Sequence, residues 1–344
     1  MYWTKDGKLD HTKLPDLLPE EVWLERRKHG LGASDVAAIA GLHKYMAPSD
    51  VYMEKVGLVE HVPDNDFMWW GREEEPLIIK KFHIETGKHV FRCATRNFVH
   101  PEYPWAMATP DGLMLDEVAG FEAKEAGPSQ AKRWGTEWTD EAPEEYICQC
   151  QWGMFITGAE KWYLVVKINR KLQKYVITRD DNLINGLFER AKWFWEEHIQ
   201  KEEIPPPDGS EAYSRLLGSV YHEENKDIIP YDAETYELAE KLIKYNREME
   251  ALKKEMTLIE DKIKVKIGTN HGIDLGDLGR IIWPEVPERV EFDDKTFMKE
   301  NRASVISLMA RELNVPVNVL EQRYMRKRPG YRTFRKYLKE EEVE

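Results

Sequence analysis

The residues best suited to do chemistry are Asp111, in Thr109-Pro110-Asp111-Gly112, and the pair Glu122 and Lys124, in Glu122-Ala123-Lys124. Two apolar runs, Leu113-Met114-Leu115 and Gly120-Phe121, flank the turn Asp116-Glu117-Val118-Ala119, which predicts a β-hairpin. Side chains alternate along a strand, so Glu122 and Lys124 share a face, and the hairpin returns Asp111 to it. Asp111 and Glu122 can then hold one hard divalent cation, with the Ala123 carbonyl as a third oxygen ligand. Mg2+ suits such a set, completed by water and phosphate oxygens. Lys124 falls beside the metal-bound water, where it orients or helps deprotonate the nucleophile and offsets charge growing on a phosphate. A D…ExK pattern is common by chance, and a surface hairpin with ordinary charges has the same letters. The apolar flanks and the following Gly127-Pro128 break favour a buried active edge.

Further candidates lie on predicted helices. In Gly71-Arg72-Glu73-Glu74-Glu75-Pro76, Glu73 and Glu74 read as a solvated helix start. Glu75 precedes Leu77, Ile78 and Phe82 and can turn toward the metal. Tyr146 and Gln149 share a helix face, and a glutamine aimed inward needs a polar partner: a bound water, a phosphate or backbone. Gly32-Ala33-Ser34-Asp35 reads as a helix start, since Ser and Asp accept bonds from free N–H groups. The segment from Arg323 to Tyr337 interleaves basic and aromatic residues, a pattern equally suited to single-stranded nucleic acid and to a solvated tail. His43, His89 and His100 have no metal-ligand spacing, and Trp69-Trp70 reads better as core packing than as a stacking wedge.

These groups need a scaffold. Helical patterns run over 19–29, 36–41, 48–56, 72–86, 143–157 and 182–199. Strand patterns run over 90–99, 106–108, the hairpin, 162–168 and 174–178. The expected fold is a mixed α/β core, a small central sheet flanked by helices. Ile204-Pro205-Pro206-Pro207-Asp208-Gly209 breaks any helix or central strand, which sets a first domain at 1–204, a linker at 205–230 and an extension at 231–344. The extension opens with a helix over 233–267, about 50 Å long. Its heptad seam comprises Leu238, Leu242, Tyr245, Met249, Leu252, Met256, Ile259 and Ile263. Packing within the chain is the favoured use of that seam, an oligomer contact the alternative. A hairpin of 279–283 with 288–292 and a helix over 305–313 follow.

Composition limits the function classes. The chain has 344 residues and a net charge of −13, almost all of it before residue 231. That argues against a protein that coats nucleic acid, though not against an enzyme with a local basic track. Three cysteines give no disulfide framework and too few thiols for an iron–sulfur cluster, and they fit a reducing cytoplasm. No apolar run reaches membrane-spanning length, and no signal peptide is expected. Most of the 12 tryptophans are expected in core or interface.

The ordered set Trp23-Leu24-Glu25-Arg26-Arg27, Gly32-Ala33-Ser34-Asp35, Gly71 to Glu75, Thr109 to Gly112, Glu122-Ala123-Lys124 and Tyr146 to Gln151 resembles the lambda exonuclease / YqaJ family of phage recombination nucleases, within the PD-(D/E)xK superfamily. The resemblance covers roughly residues 20–200. It implies a PD-(D/E)xK, restriction-endonuclease-like core and a Mg2+-dependent exonuclease, with Mn2+ able to substitute. Such an enzyme degrades the 5′-ended strand of duplex DNA and passes the 3′ strand to a single-strand annealing protein, and many members are ring-shaped homotrimers. It further implies Asp111 and Glu122 on the metals, Lys124 as the catalytic lysine, and Glu75 and Gln149 at auxiliary positions. Arg27 and Ser34 fall on the 5′-phosphate positions, with Arg26 as the alternative arginine. The rival readings are an endonuclease on the same fold and a non-catalytic DNA-binding or annealing protein.

Overall fold

Four helices precede the central sheet: α1 (Glu20–Lys28), α2 (Ala33–Ile39), α3 (Pro48–Lys55) and α4 (Asp66–Thr86). The strands follow as β1 (Val90–Arg92), β2 (Phe98–Val99), β3 (Met107–Ala108), β4 (Gly112–Met114) and β5 (Ala119–Ala126). After these come α5 (Glu144–Thr157), β6 (Lys161–Ile168), β7 (Lys171–Thr178), α6 (Asp181–Trp193) and α7 (Glu211–Val220). This computed structural model describes residues 2–59, 66–286 and 294–324. The chain divides into two units, Met1–His222 and Glu223–Glu344.

In the first unit, five strands form a mixed sheet in the order β1-β4-β5-β6-β7. β5 pairs antiparallel with β4 and parallel with β6, and α5 makes the crossover between β5 and β6. β6 is almost wholly apolar because both its faces are covered. Trp162, Leu164 and Val166 enter the larger core with α2, α3, α5 and α6; Tyr163 and Val165 enter a smaller one with Ile78 and Phe82 of α4. The same alternation divides β5. Phe121 packs on Phe82, with ring centroids 5.1 Å apart, which leaves Glu122 and Lys124 to the opposite face. The expected mixed α/β core, a central sheet flanked by helices, is therefore present.

Several local expectations change. The strand pattern over 90–99 divides into β1 and β2, because the chain turns at Cys93–Asn97 with Ala94 at a φ of 50°. Trp69 and Trp70 are half-exposed and packed edge to face rather than buried, since the buried stripe of α4 runs through Ile78 and Phe82. The tryptophans as a whole are mixed: Trp3, Trp134, Trp152 and Trp162 are buried, whereas Trp138, Trp193 and Trp283 are also exposed. The proline run does not end the first unit. Beyond it, Ser210 caps α7 by accepting the Tyr213 N–H, and α7 buries Ala212 and Leu216. Ser49 of α3 donates to Asp208 at 2.9 Å, and Arg215 pairs with Asp50 at 2.8 Å. Prolines stop a helix without stopping the chain from packing.

The second unit holds α8 (Ala233–Ile267), capped by Asp232, then β8 (Gly272–Asp274), β9 (Arg280–Ile282), α9 (Asp294–Glu312) and α10 (Val317–Tyr324). β9 pairs back with β8, and the segment 288–292 expected to pair with it lies outside the described residues. Ile263 and Ile267 of α8 line a small cavity with Ile281, Ile282 and Trp283. Farther up the helix, Leu238, Tyr245, Met249, Leu252, Met256 and Ile259 are all exposed, so the seam has no cover along this stretch among the described residues. Most of the basic segment ending at Tyr337 lies outside them. Among the described residues no helix is long and apolar enough to cross a membrane.

Candidate active site

The hairpin register Gly112↔Phe121 sets Asp111, just before β4, beside Glu122 on β5. Asp111 Oδ2 accepts the Ala123 N–H at 2.7 Å, and its carbonyl accepts the Cys93 N–H at 3.0 Å. Lys124 Nζ donates to Glu122 Oε1 at 2.6 Å and lies 5.4 Å from the centre of the Tyr146 ring on α5. Glu75, from α4, accepts Arg92 Nε at 2.7 Å. Arg92 is the last residue of β1 and pairs with Gly112, the neighbour of Asp111.

The electrostatics of this cluster follow from its crowding. Burial, and then the charge of Glu122, push the Asp111 carboxyl well above the usual carboxylate range, against the pull of Lys124. Burial likewise raises Glu75, against the bond from Arg92. For Lys124, burial works to lower the ammonium, but Glu122 and Asp111 outweigh it and the net shift is upward. Lys124 is thus a held positive charge facing two carboxylates.

Among the described residues no three His, Cys, Asp or Glu side chains form a ready-made metal cage. Glu75 is turned to Arg92, and Glu122 to Lys124. The donor set still fits a hard cation. Asp111 and Glu122 are crowded carboxylates whose repulsion a divalent ion relieves, and such ions take few protein oxygens beside water and phosphate. Gln149 supplies an independent sign. Its side chain is buried at the wall of the same cleft, and no described residue hydrogen-bonds to it. The backbone-satisfied glutamine of this helix is Gln151, which donates to the Thr178 carbonyl and accepts the Asp180 N–H.

One cleft of about 420 Å3 joins these groups to the arginine side. Its lining includes Asp111, Glu122, Glu75 and Gln149, and also Arg27 and Ser34. Lys124 and Ala123 are set behind that lining, bonded to Glu122 and Asp111. Arg27 is half-buried with its guanidinium 5.0 Å from the Trp23 ring centre; Arg26 is exposed and does not line the cleft. Trp23 Nε1 donates to Thr109 Oγ1 at 3.1 Å, which fixes α1 against the loop that carries Asp111. α2 has only seven residues, so Ser34 offers its hydroxyl more than a helix dipole.

Sequence reasoning missed Arg72, Arg92, Thr95, Asn97 and Trp162, which also line the cleft. Arg92 reaches Glu75 through the packing of β1 on α4, and nothing local marks it. Trp162 is set by small residues: a Cβ on Gly120 or Gly153 would collide with its indole ring. The glycine four positions after Gln149 carried that signal.

Comparison with known proteins gives these residues a family. The YqaJ-like viral recombinase domain matches residues 22–160. A protein named YqaJ from Bacillus subtilis, strain 168, is 31% identical over 252 residues, 72% of this chain and 78% of that protein. Similar solved structures include the alkaline exonuclease LHK-Exo of Laribacter hongkongensis, with 25% identity and a TM-score of 0.43 over 53% of this chain and 93% of that one. A phage related exonuclease of Haemophilus somnus 129PT shows 14% identity and a TM-score of 0.40 over 51% of this chain and 96% of its own. The identity and the extent of the match to the Bacillus protein show that this chain belongs to the YqaJ-like viral recombinase family.

Proposed function

We propose that this protein is a metal-dependent deoxyribonuclease, a 5′→3′ exonuclease that consumes one strand of linear duplex DNA and exposes the other. The observation that carries the reading is a single cleft lined by crowded carboxylates together with Arg27 and Ser34. A phosphodiester set between them meets cation ligands on one side and phosphate donors on the other. Asp111, Glu122 and the Ala123 carbonyl would hold Mg2+ or Mn2+, with Glu75 and Gln149 beside them. The ion, when bound, supplies an acidified water and a Lewis acid for the phosphate oxygens.

The remaining roles belong to the chain. Lys124 holds its charge next to Glu122, where it orients the attacking water and offsets negative charge on the phosphate. Gln149 presents an unbonded amide to the cleft, suited to a water or a phosphate oxygen. Arg27 and Ser34 bind the terminal 5′-phosphate and so fix the scissile bond relative to Asp111. Family resemblance supports a single-strand annealing protein as partner and a homo-oligomer, a trimer, as the working form.

The test is digestion of 5′-labelled linear and closed-circular duplexes with Mg2+ and with EDTA. Loss of label from linear ends in Mg2+ alone is the expected result. Cutting of the closed circles would replace this reading with an endonuclease, and binding without cleavage would replace it with an annealing or DNA-binding protein.

A further inference from the structure

Lys55 takes no part in the chemistry above, yet its ammonium is fully buried. Nζ lies 2.9 Å from Asp35 Oδ2, with side-chain exposures of 0% and 4% for the two residues. It also donates to the Arg27 carbonyl oxygen at 2.8 Å. The same Asp35 Oδ2 accepts the Gly32 N–H at 2.8 Å. One ammonium therefore ties the last turn of α1, which carries Arg27, to the first turn of α2, which carries Ser34.

Both groups it holds need a partner. The carbonyls of the last helical turn have no intrahelical donor, and a buried carboxylate must be neutralised. Lysine meets both with several donors on one flexible stem. The connection between the helices is short and contains Gly30 and Gly32; Leu31 anchors its middle to Trp105 and Met107 by backbone hydrogen bonds. Those bonds fix the loop but not the two side chains at its ends. Burying an ion pair is expensive, and apolar residues of similar volume often give equal stability, so such a pair is better explained by the geometry it enforces.

We propose that Lys55, through Asp35, is a positioning residue that sets the spacing of Arg27 and Ser34 so that both reach one 5′-phosphate. The inference rests on the reading of those two residues as phosphate ligands. The test uses the full chain with Lys55→Met, and with Lys55→Met combined with Asp35→Asn, which leaves no lone buried charge if the single variant fails to fold. Digestion of 5′-phosphorylated and 5′-hydroxyl linear duplexes is measured in Mg2+, with circular dichroism to check the fold. KM for 5′-phosphorylated ends should rise on the order of tenfold, as misplaced ligands predict, while digestion of 5′-hydroxyl ends is unchanged. A folded double variant with the wild-type preference, or with equal losses on both ends, overturns the proposal. Arg27→Ala separates the two levels. If it abolishes the preference and the Lys55 variants do not, positioning alone fails; if it too leaves the preference intact, the phosphate reading fails with it.

Discussion

Asp111 and Lys124 face each other across Glu122, so their removal should disturb the same charge balance in opposite directions. On the proposed reading, Asp111→Ala removes a metal ligand and Lys124→Ala removes the charge beside the attacking water. Each should lower cleavage of linear duplex on the order of 10³-fold, as loss of a charged group acting at the transition state does. Circular dichroism should be unchanged, and Lys124→Ala should still bind duplex DNA in a gel-shift titration. Digestion at near wild-type rate by either variant would remove these residues from the active site. The group was legible in the sequence because the relation among Asp111, Glu122 and Lys124 is local: one hairpin and the two-residue period of a strand bring them together. Arg92 and Lys55 were not legible, because their partners, Glu75 and Asp35, are reached through packing between elements that no short motif encodes.

Between elements, the fit of α5 against the sheet depends on Gly120, Gly153 and the ring of Trp162. Gly153→Ala should therefore destabilise the fold by about 1–3 kcal/mol, the cost of overpacking a full core, despite the higher helix propensity of alanine. Denaturant melts would show it, and a neutral effect would mean that the ring shifts freely. The hairpin turn carries a second test. Glu117 is bonded to Lys88 at 2.8 Å and Lys161 at 2.6 Å. Burial works to raise its carboxyl, but the two lysines outweigh it and hold it below the usual range. A depressed carboxyl adds stability above its unfolded pKa, and that stability is lost as pH falls through the folded value. Glu117→Gln should thus cost about 1 kcal/mol at neutral pH, with solvent screening allowed for, and progressively less below about pH 4. A loss of equal size at both pH values would point to packing instead. Long periodic elements such as α8 were legible to the residue. The division of β1 from β2 was not, because an alanine rarely takes the left-handed φ that Ala94 adopts.

For the whole molecule, the boundary between the units decides which fragment survives. A chain ending after Pro206 loses Asp208, Ser210 and α7, and so uncovers the surface that Leu216 and Ala212 bury. Burying one leucine is worth about 1.5–3 kcal/mol, so this fragment should melt several degrees below one ending after His222. The longer fragment should keep Mg2+-dependent cleavage, since every candidate ligand precedes α7. Light scattering on it would also show whether the exposed seam of α8 serves assembly: an unchanged number of subunits would assign assembly to the first unit. The proline run hides α7 because a break in helix propensity looks, in sequence, the same as a break in packing. That late helix also has a bearing on synthesis. Ser49 and Asp208 are 159 positions apart, so the α3 surface waits for almost the entire first unit to be translated before its cover arrives. At about 5–20 residues per second the surface stays open for many seconds on the ribosome. Part of the second unit must then be made before α7 clears the exit tunnel, which makes residues downstream of His222 a tether that holds the nascent first unit in place while its last helix docks.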